Sequence, residues 1–162
     1  MASRLDGGNL EIFYEELDLK EHLSSISKRF DSLAEKSHNR LIIDCQEGLV
    51  LSADKSAFET IISNLIENAL KYAPGTDVSI RAQKQKSSLV VDVLDAGPGI
   101  PKLERERVTK KFYRMGNEET RSQKGSGLGL YLVQSLVELH GAQLSIQDNS
   151  PKGTIFSLKF NQ

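Results

Sequence analysis

The chain contains the stretch Asn64-Leu65-Ile66-Glu67-Asn68-Ala69-Leu70-Lys71-Tyr72, from which the rest of the fold can be worked out. At about 100° per residue along a helix, Asn64, Asn68 and Lys71 fall within roughly 60° of one another. The apolar residues of the same helix form an adjoining stripe of Phe58, Ile61, Leu65, Ala69 and Tyr72. The polar stripe thus borders the buried face, where an Asn oxygen can ligate Mg²⁺ and Lys71 can neutralise a phosphate. A solvated helix edge has the same pattern.

A second informative segment, at the end of an apolar run, is Asp95-Ala96-Gly97-Pro98-Gly99. A carboxylate at a strand end can accept a hydrogen bond from the exocyclic amino group of adenine. Guanine presents a carbonyl there and would leave a buried Asp unpaired. Gly97 and Gly99 let the backbone pass close to a flat base. A turn that begins with Asp suits the same residues, so this segment alone leaves both interpretations open.

A third segment is the glycine-rich run Gly125-Ser126-Gly127-Leu128-Gly129-Leu130, which opens into a predicted helix. The N–H groups at a helix start, with the positive end of its dipole, suit phosphate oxygens. Leu130 stands where a dinucleotide fingerprint has its third glycine, and the chain has no G-x-x-x-x-G-K-[ST] loop. A flexible hinge is the alternative for this run by itself. In this order, the three segments predict one nucleotide pocket.

The composition is that of one folded domain, since 38% of the 162 residues are hydrophobic and 27% are charged. A net charge of -1 gives no broad field for nucleic acid or an anionic membrane. The chain has no apolar run of about 20 residues and no secretory signal at its start. The single Cys45 excludes an internal disulfide, and we interpret it as a core residue. We expect a cytoplasmic protein without nucleic-acid or direct membrane contacts.

Hydrophobic periodicity predicts helices and strands along the whole chain. Helices are predicted from an N-cap at Asp18 to about Glu35, from an N-cap at Asp54 to about Tyr72, and from about Ser126 to Leu139. Strands are predicted at 10–14, 40–45, 48–52, 78–82, 89–94, 143–148 and 154–160, with a turn at Ser87-Ser88. They predict an α/β (α+β) two-layer sandwich, with three helices on one face of a mixed, mostly antiparallel sheet. The weakly periodic stretch 97–125 predicts a binding loop or lid.

Together the segments resemble the ATP-binding catalytic domain of bacterial sensor histidine kinases, in the superfamily that also holds gyrase, the mismatch-repair ATPases and a heat-shock chaperone. The resemblance covers residues 10–160. The motifs that carry it are similar to the N box (Asn64–Tyr72), the first glycine box (Asp95–Ile100), the F box (Lys111–Arg114), the second glycine box (Gly125–Leu130) and the final glycine motif (Gly153-Thr154). It implies a Bergerat-type fold with a mobile lid over ATP.

The resemblance also implies roles for individual residues. The implied phosphate and metal residues are Asn64, Asn68 as the Mg²⁺ ligand, Lys71, and Tyr72 along the nucleotide. The implied adenine residues are Asp95, which binds the amino group, with Thr154, Gly97 and Gly99. The implied phosphate end of the lid comprises Gly125, Gly127, Leu128 and Gly129.

Asn64 separates two branches of the superfamily. In the hydrolytic relatives, a Glu four residues before the metal-binding Asn activates water, whereas the Asn64 amide cannot act as a general base. The resemblance therefore implies transfer of the γ-phosphoryl group of ATP to a His on a separate dimerisation domain. Glu67 is a complication, although it faces about 60° away from Asn64 on the helix. Three alternatives stay open: a nucleotide-binding module without catalysis, an anti-sigma-type protein Ser/Thr kinase and a hydrolytic ATPase.

Some parts depart from the family pattern. Thr109 stands where the F box has its first Phe, and Ala142 where a second glycine is common. None of the three histidines is followed by the acid and proline of an acceptor, so we interpret all of them as structural: His22, His38 and His140, the last as a partly protonated ring at a helix C-terminus.

The acceptor His is therefore expected on a partner domain. We expect this domain to belong to the same polypeptide in the full-length protein. Residues 1–9 are interpreted as the exit from its dimerisation hairpin or as a linker, and residues 10–162 as the ATP-binding domain. A response regulator is the expected downstream partner, and we expect the isolated domain to be a monomer.

Overall fold

A computed structural model describes residues 11–115 and 126–161 of the chain. The helices in these ranges are α1 (Leu19–Lys28), α2 (Asp31–Lys36), α3 (Lys55–Tyr72) and α4 (Gly129–Leu139), with a 3₁₀ turn at Lys102–Glu104. The strands are β1 (Glu15–Asp18), β2 (Arg40–Cys45), β3 (Val50–Ala53), β4 (Asp77–Gln85), β5 (Ser88–Leu94), β6 (Gln143–Asp148) and β7 (Thr154–Asn161). Across the described parts of the chain, every helix is too short or too polar to cross a membrane. The segment 1–9 and Gly125 lie outside the described residues.

Five strands form the main sheet in the order β2-β4-β5-β7-β6. The β2–β4 pair is parallel, and the other neighbours are antiparallel. Strands β1 and β3 form a separate antiparallel pair. The expected mixed, mostly antiparallel sheet with helices on one face is confirmed.

The strand register places one continuous apolar row across the sheet. Directly opposite neighbours in this row are Ile43, Ile80, Val93, Phe156 and Ile146. Ile80 is 0% exposed. Because side chains alternate along a strand, the next row, which contains Ser79, faces the other side of the sheet. The apolar row and the buried faces of the helices form one core, whose helical members include Leu23, Ile62, Leu65, Val133 and Leu136.

The first predicted helix is wrong in its extent, because the chain breaks it in two. After α1, the amides of Arg29 and Phe30 donate to carbonyls only three residues back, those of Ile26 and Ser27. This tightening ends the α-helical ladder of α1, and α2 begins separately at Asp31, with Phe30 as its N-cap. Four helices therefore stand where three were predicted.

Other boundaries also differ from the prediction. Strand β1 begins at Glu15, after the predicted segment 10–14, and Phe13 and Tyr14 are largely exposed. The tight turn of the β4–β5 hairpin is at 86–87, where Lys86 adopts φ 55°, and Ser88 already belongs to β5. In contrast, Asp54 caps α3 as predicted, accepting a hydrogen bond from the Ala57 amide at 2.9 Å.

His140 joins the end of α4 to the start of α3. The Asp54 amide donates to its Nε2 at 3.1 Å, and its Nδ1 lies 2.6 Å from the Leu136 carbonyl. Nε2 thus accepts a hydrogen bond from the start of α3, and Nδ1 faces a carbonyl in the last turn of α4.

We predict that Ile80→Ala lowers the free energy of unfolding by about 2–5 kcal/mol, because it leaves a cavity in the centre of the apolar row. The neighbouring Ser79→Ala, on the other face, is the matched control and should change stability by no more than about 0.5 kcal/mol. Urea titrations followed by circular dichroism measure both values. Equal losses from the two variants would contradict the register.

Candidate functional site

Asp95 is the first residue after β5 and is held by donors on both sides. Its Oδ1 accepts hydrogen bonds from the amides of Gly97 at 2.8 Å and Thr154 at 3.3 Å. Its own amide donates to the Thr154 carbonyl at 3.0 Å, and its carbonyl accepts from Asn149 Nδ2 at 2.7 Å. Only 7% of Asp95 is exposed. The carboxylate is therefore fixed in one orientation at the end of a buried strand.

Two glycines make this arrangement possible. Gly153 has φ 115°, and a Cβ there would lie 2.0 Å from the Asp95 carbonyl oxygen. A Cβ on Gly97 would lie 3.0 Å from each of three atoms, Asp95 Oδ1, the Tyr72 carbonyl oxygen and the Ala73 Cβ. The first glycine box thus packs against the C-terminal end of α3, and the final glycine motif packs against Asp95.

Burial raises the pKa of the Asp95 carboxyl above its ordinary value, and the hydrogen bonds from Gly97 and Thr154 oppose this shift. The site therefore holds a carboxylate whose charge is poorly solvated. A ligand that donates a hydrogen bond to it would replace part of the lost solvation.

The polar stripe of α3 lies beside the start of α4. A Cβ on Gly129 would be 2.9 Å from Asn64 Oδ1, so this glycine permits the two helices to approach. Asn64 Nδ2 donates to the Thr60 carbonyl at 2.8 Å, which directs Oδ1 towards α4. Asn68 follows one turn later and is partly buried. The structure therefore brings the N box and the second glycine box together.

At the end of this stripe, Lys71 and Tyr72 lie side by side. The Lys71 ammonium is 4.8 Å from the centroid of the Tyr72 ring, which is 46% exposed. Because the Tyr72 carbonyl also borders Gly97, α3 contacts the first glycine box at its C-terminal end and the glycine-rich run at Asn64, near its middle.

The F box contacts the glycine-rich run. The Phe112 amide donates to the Gly127 carbonyl at 3.0 Å, and a Cβ on Gly127 would lie 2.8 Å from the Phe112 carbonyl carbon. Helix α4 begins at Gly129 and not at Ser126 as predicted, because Leu128 is its N-cap and its amide donates to Ser126 Oγ at 3.3 Å. Gly127 and Leu128 thus precede the helix, while Gly125, the remaining predicted lid residue, lies outside the described residues.

The structure also accounts for the unusual F box. Thr109 replaces an expected Phe, but the preceding Val108 is 8% exposed and supplies the buried side chain of this segment. Thr109 Oγ1 instead donates to the Glu106 carbonyl at 3.2 Å.

Sequence reasoning missed three residues that support the site. Asn39 is buried and its Nδ2 donates to the Ala73 and Thr76 carbonyls, both at 2.7 Å, which secures the chain after α3. Asn149 holds the Asp95 carbonyl. Arg105 holds the end of the first glycine box. Their only signal in the sequence is a polar residue type in a loop, which carries no information about a partner distant along the chain.

The sequence matches the family described as "Histidine kinase-, DNA gyrase B-, and HSP90-like ATPase" over residues 53–162. It is 31% identical over 160 residues to the sensor histidine kinase TmoS of Ectopseudomonas mendocina, which covers 97% of this chain and 16% of TmoS. The chain thus spans only a small part of that relative.

Solved structures have a similar fold. The mycobacterial sensor histidine kinase MprB matches with a TM-score of 0.77 at 28% identity, over 92% of this chain and 97% of that chain. Full-length ShkA, in a complex with AMPPNP, matches with a TM-score of 0.86 at 21% identity, over 98% of this chain and 33% of that chain. At this lower identity the second likeness concerns the fold alone.

We predict that Asp95→Asn becomes progressively more favourable for stability, relative to the wild type, as the pH rises from about 4 to 7. Because burial raises the pKa of this carboxyl in the folded state, its contribution is fully present below the unfolded pKa and is lost as the pH rises through the folded pKa. The uncharged amide removes that loss. Urea unfolding without nucleotide, at a series of pH values, measures the difference.

Asp77→Asn is the control of opposite sign. A hydrogen bond from Arg40 lowers the pKa of Asp77, so its contribution is present above the unfolded pKa and is lost as the pH falls through the folded pKa. The Asp77 variant should therefore lose stability relative to the wild type as the pH rises, mostly below about pH 5. The same sign for both variants would refute the assignment of a raised pKa to Asp95.

Proposed function

Because this chain belongs to the family of histidine kinase-, DNA gyrase B- and HSP90-like ATPases, we propose that it is the ATP-binding catalytic domain of a sensor histidine kinase. The reaction is transfer of the γ-phosphoryl group of ATP to a His on a dimerisation domain outside this chain. The observation that carries the proposal is the buried Asp95 carboxylate, oriented by the Gly97 and Thr154 amides at the end of β5.

The purine end of the site suits adenine. Asp95 accepts a hydrogen bond from the exocyclic amino group, and the carbonyl of guanine at the same position would face a carboxylate with no proton to share. Gly97 and Gly99 let the backbone pass close to the flat base, and Thr154 keeps the carboxylate in place. Tyr72, half exposed at the end of α3, lies along the nucleotide.

The phosphate end is formed by α3 and the start of α4. Asn64 and Lys71 face the phosphates from α3, and the glycine-rich run Gly125, Gly127, Leu128 and Gly129 covers them. The start of α4 is the positive end of its helix dipole, which suits negative charge. This arrangement binds a triphosphate and orients its terminal group.

The donor set also fits Mg²⁺. Mg²⁺ prefers oxygen ligands and keeps several waters, so substrate phosphates and one or two protein oxygens suffice. The Asn68 side-chain oxygen is the ligand on the polar stripe, and the described residues contain no cluster of three acidic, His or Cys side chains that would form a protein cage. When bound, the ion neutralises negative charge on the phosphates.

The side chains favour transfer over hydrolysis. Asn64 cannot deprotonate water, and its amide is already engaged with the Thr60 carbonyl. Glu67 is exposed on α3, away from the buried face. In the transfer, the unprotonated imidazole nitrogen of the acceptor bonds to the γ-phosphorus as the bond to the β–γ bridging oxygen breaks. ADP leaves with that electron pair, and the remaining imidazole proton passes to a base on the acceptor domain or to water.

The partners follow from this assignment. The acceptor domain belongs, in the full-length protein, to the same polypeptide, and the phosphoryl group passes on to a response regulator in the cytoplasm. Residues 10–162 bind ATP, as a monomer when isolated. Catalysis depends mainly on positioning and charge stabilisation, so the chain alone turns over little ATP.

The experiment mixes the chain with ATP labelled in the γ-phosphate and a matching acceptor domain. We expect phosphate on the acceptor that is stable to base and lost in acid, as for a phosphorylated histidine. Tight ATP binding without any transfer indicates a binding module. Acid-stable phosphate on a Ser-containing partner indicates a Ser/Thr kinase, and steady release of phosphate by the isolated chain indicates a hydrolytic ATPase.

Asn68→Ala tests the metal ligand. We predict that ATP binding no longer strengthens when Mg²⁺ replaces EDTA, because the protein oxygen that links the ion to α3 is gone. Calorimetric titration in the two buffers measures the dependence. Glu67→Gln, the exposed neighbour, is the control and should retain it. An intact Mg²⁺ dependence in Asn68→Ala would remove this residue from the metal site.

A further inference from the structure

Arg105, directly after the 3₁₀ turn, makes a hydrogen-bond arrangement that the nucleotide site by itself does not explain. Its side chain is only 18% exposed although it lies in a loop. Its Nε donates to the Ile100 carbonyl at 3.0 Å and its Nη1 to the Ile146 carbonyl at 3.2 Å. Its Nη2 pairs with the Asp148 carboxylate. One guanidinium thus joins two segments more than 40 residues apart in sequence.

Ile146 and Asp148 belong to β6, the last strand of the sheet. A strand in this position pairs on one side and leaves carbonyl groups open on the other. Arg105 occupies that open side, because the Ile146 carbonyl accepts its Nη1 hydrogen bond. The sheet edge therefore gives the arginine a rigid support.

Ile100 ends the purine loop, which we define as residues 95–100. The other end of this loop is held by the same hairpin, since Asn149, which follows β6, donates to the Asp95 carbonyl at 2.7 Å. The β6–β7 hairpin thus grips the purine loop at its first residue through Asn149 and at its last residue through Arg105. A loop fixed at both ends loses little conformational freedom when a base binds.

We propose that Arg105 is a positioning residue for purine recognition: it holds the purine loop against the β6 edge so that the Asp95 carboxylate meets the exocyclic amino group of the base. This inference rests on the proposed ATP-binding function and deepens it. Arg105 touches neither base nor phosphate in this role, and it acts through the loop.

The geometry requires an arginine. A guanidinium presents five donors in a fixed planar fork. Here its three nitrogens donate to three acceptors, one at the end of the purine loop and two on β6. The ammonium of a lysine can keep the ion pair with Asp148 but cannot serve both carbonyls in this plane. Charge alone is therefore not sufficient for the role.

Arg107 provides a matched control in the same loop. It lies two residues further on, its side chain is 60% exposed, and its hydrogen bond to Glu104 is long, at 3.4 Å. Its guanidinium also lies 5.9 Å from the ring centroid of Tyr113. Replacing Arg107 removes the same charge from the loop without releasing the purine loop from β6.

The experiment measures the preference for ATP over inosine triphosphate, which has a carbonyl in place of the amino group. Calorimetric titrations with Mg²⁺ compare the wild type with Arg105→Met, Arg105→Lys, Arg107→Met and Asp95→Asn. We expect Arg105→Met to reduce the ratio of ATP affinity to inosine triphosphate affinity by about tenfold, which is the factor for one ordinary hydrogen bond. The ratio should approach that of Asp95→Asn. The ratio for Arg105→Lys should lie between those of Arg105→Met and the wild type. The ratio for Arg107→Met should equal that of the wild type.

The preference ratio separates positioning from mere stabilisation. A variant that is only less stable loses affinity for both nucleotides equally and keeps the ratio, and that result in Arg105→Met overturns the inference. An equal fall of the ratio in Arg107→Met overturns it too, because a general loss of positive charge would then be the cause. If Arg105→Met does not fold, Arg105→Lys serves as the decisive variant with the same two outcomes.

The proposed function fails in a distinguishable way. A wild type that binds neither nucleotide contradicts ATP binding itself and the inference with it. A wild type that prefers ATP, together with an Arg105→Met variant of unchanged ratio, overturns only the role of Arg105.

Discussion

The arrangement of the whole site depends on the two hydrogen bonds that Asp95 Oδ1 accepts from backbone amides. The Gly97 amide lies two residues on in the chain, whereas the Thr154 amide comes from β7, the neighbouring strand. A buried carboxylate is costly unless donors solvate it, and these amides do so while leaving it charged enough to attract a donor from a ligand. The same hydrogen bonds thus support the fold locally and fix the orientation of the carboxylate that we propose binds adenine.

Close packing around this carboxylate explains why glycines surround it. Gly153 lies where any side chain would overlap the Asp95 carbonyl, and Gly97 lies against the end of α3. A similar constraint operates at the phosphate end, where Gly129 lets α4 approach Asn64. Gly97 and Gly129 let their segments contact α3, so that a single helix borders both the first glycine box and the start of α4.

The support of the site comes from the edge of the sheet and from the loops. Asn39 secures the chain after α3, Asn149 secures the start of the purine loop, and Arg105 secures its end. These polar groups are largely buried and paired with backbone carbonyls, which removes alternatives for the loop backbone. The hypothesis that Arg105 tunes base preference extends this principle from the residues that meet the ligand to the residues that hold them.

Elements with a local signal can be predicted from the amino-acid sequence. The period of apolar residues identified α3 and the central strands, the cap at Asp54 located a helix start, and the glycine-rich motifs indicated the family. The folded chain adds where α1 breaks, where α4 begins, that His140 links the end of α4 to the start of α3, and that Arg105 and Asn149 hold the loop 95–100. Each of these depends on a hydrogen-bond partner or a packing neighbour that the fold brings close. The type of a residue tells which hydrogen bonds it can make, whereas the fold of the whole chain decides which partner it meets.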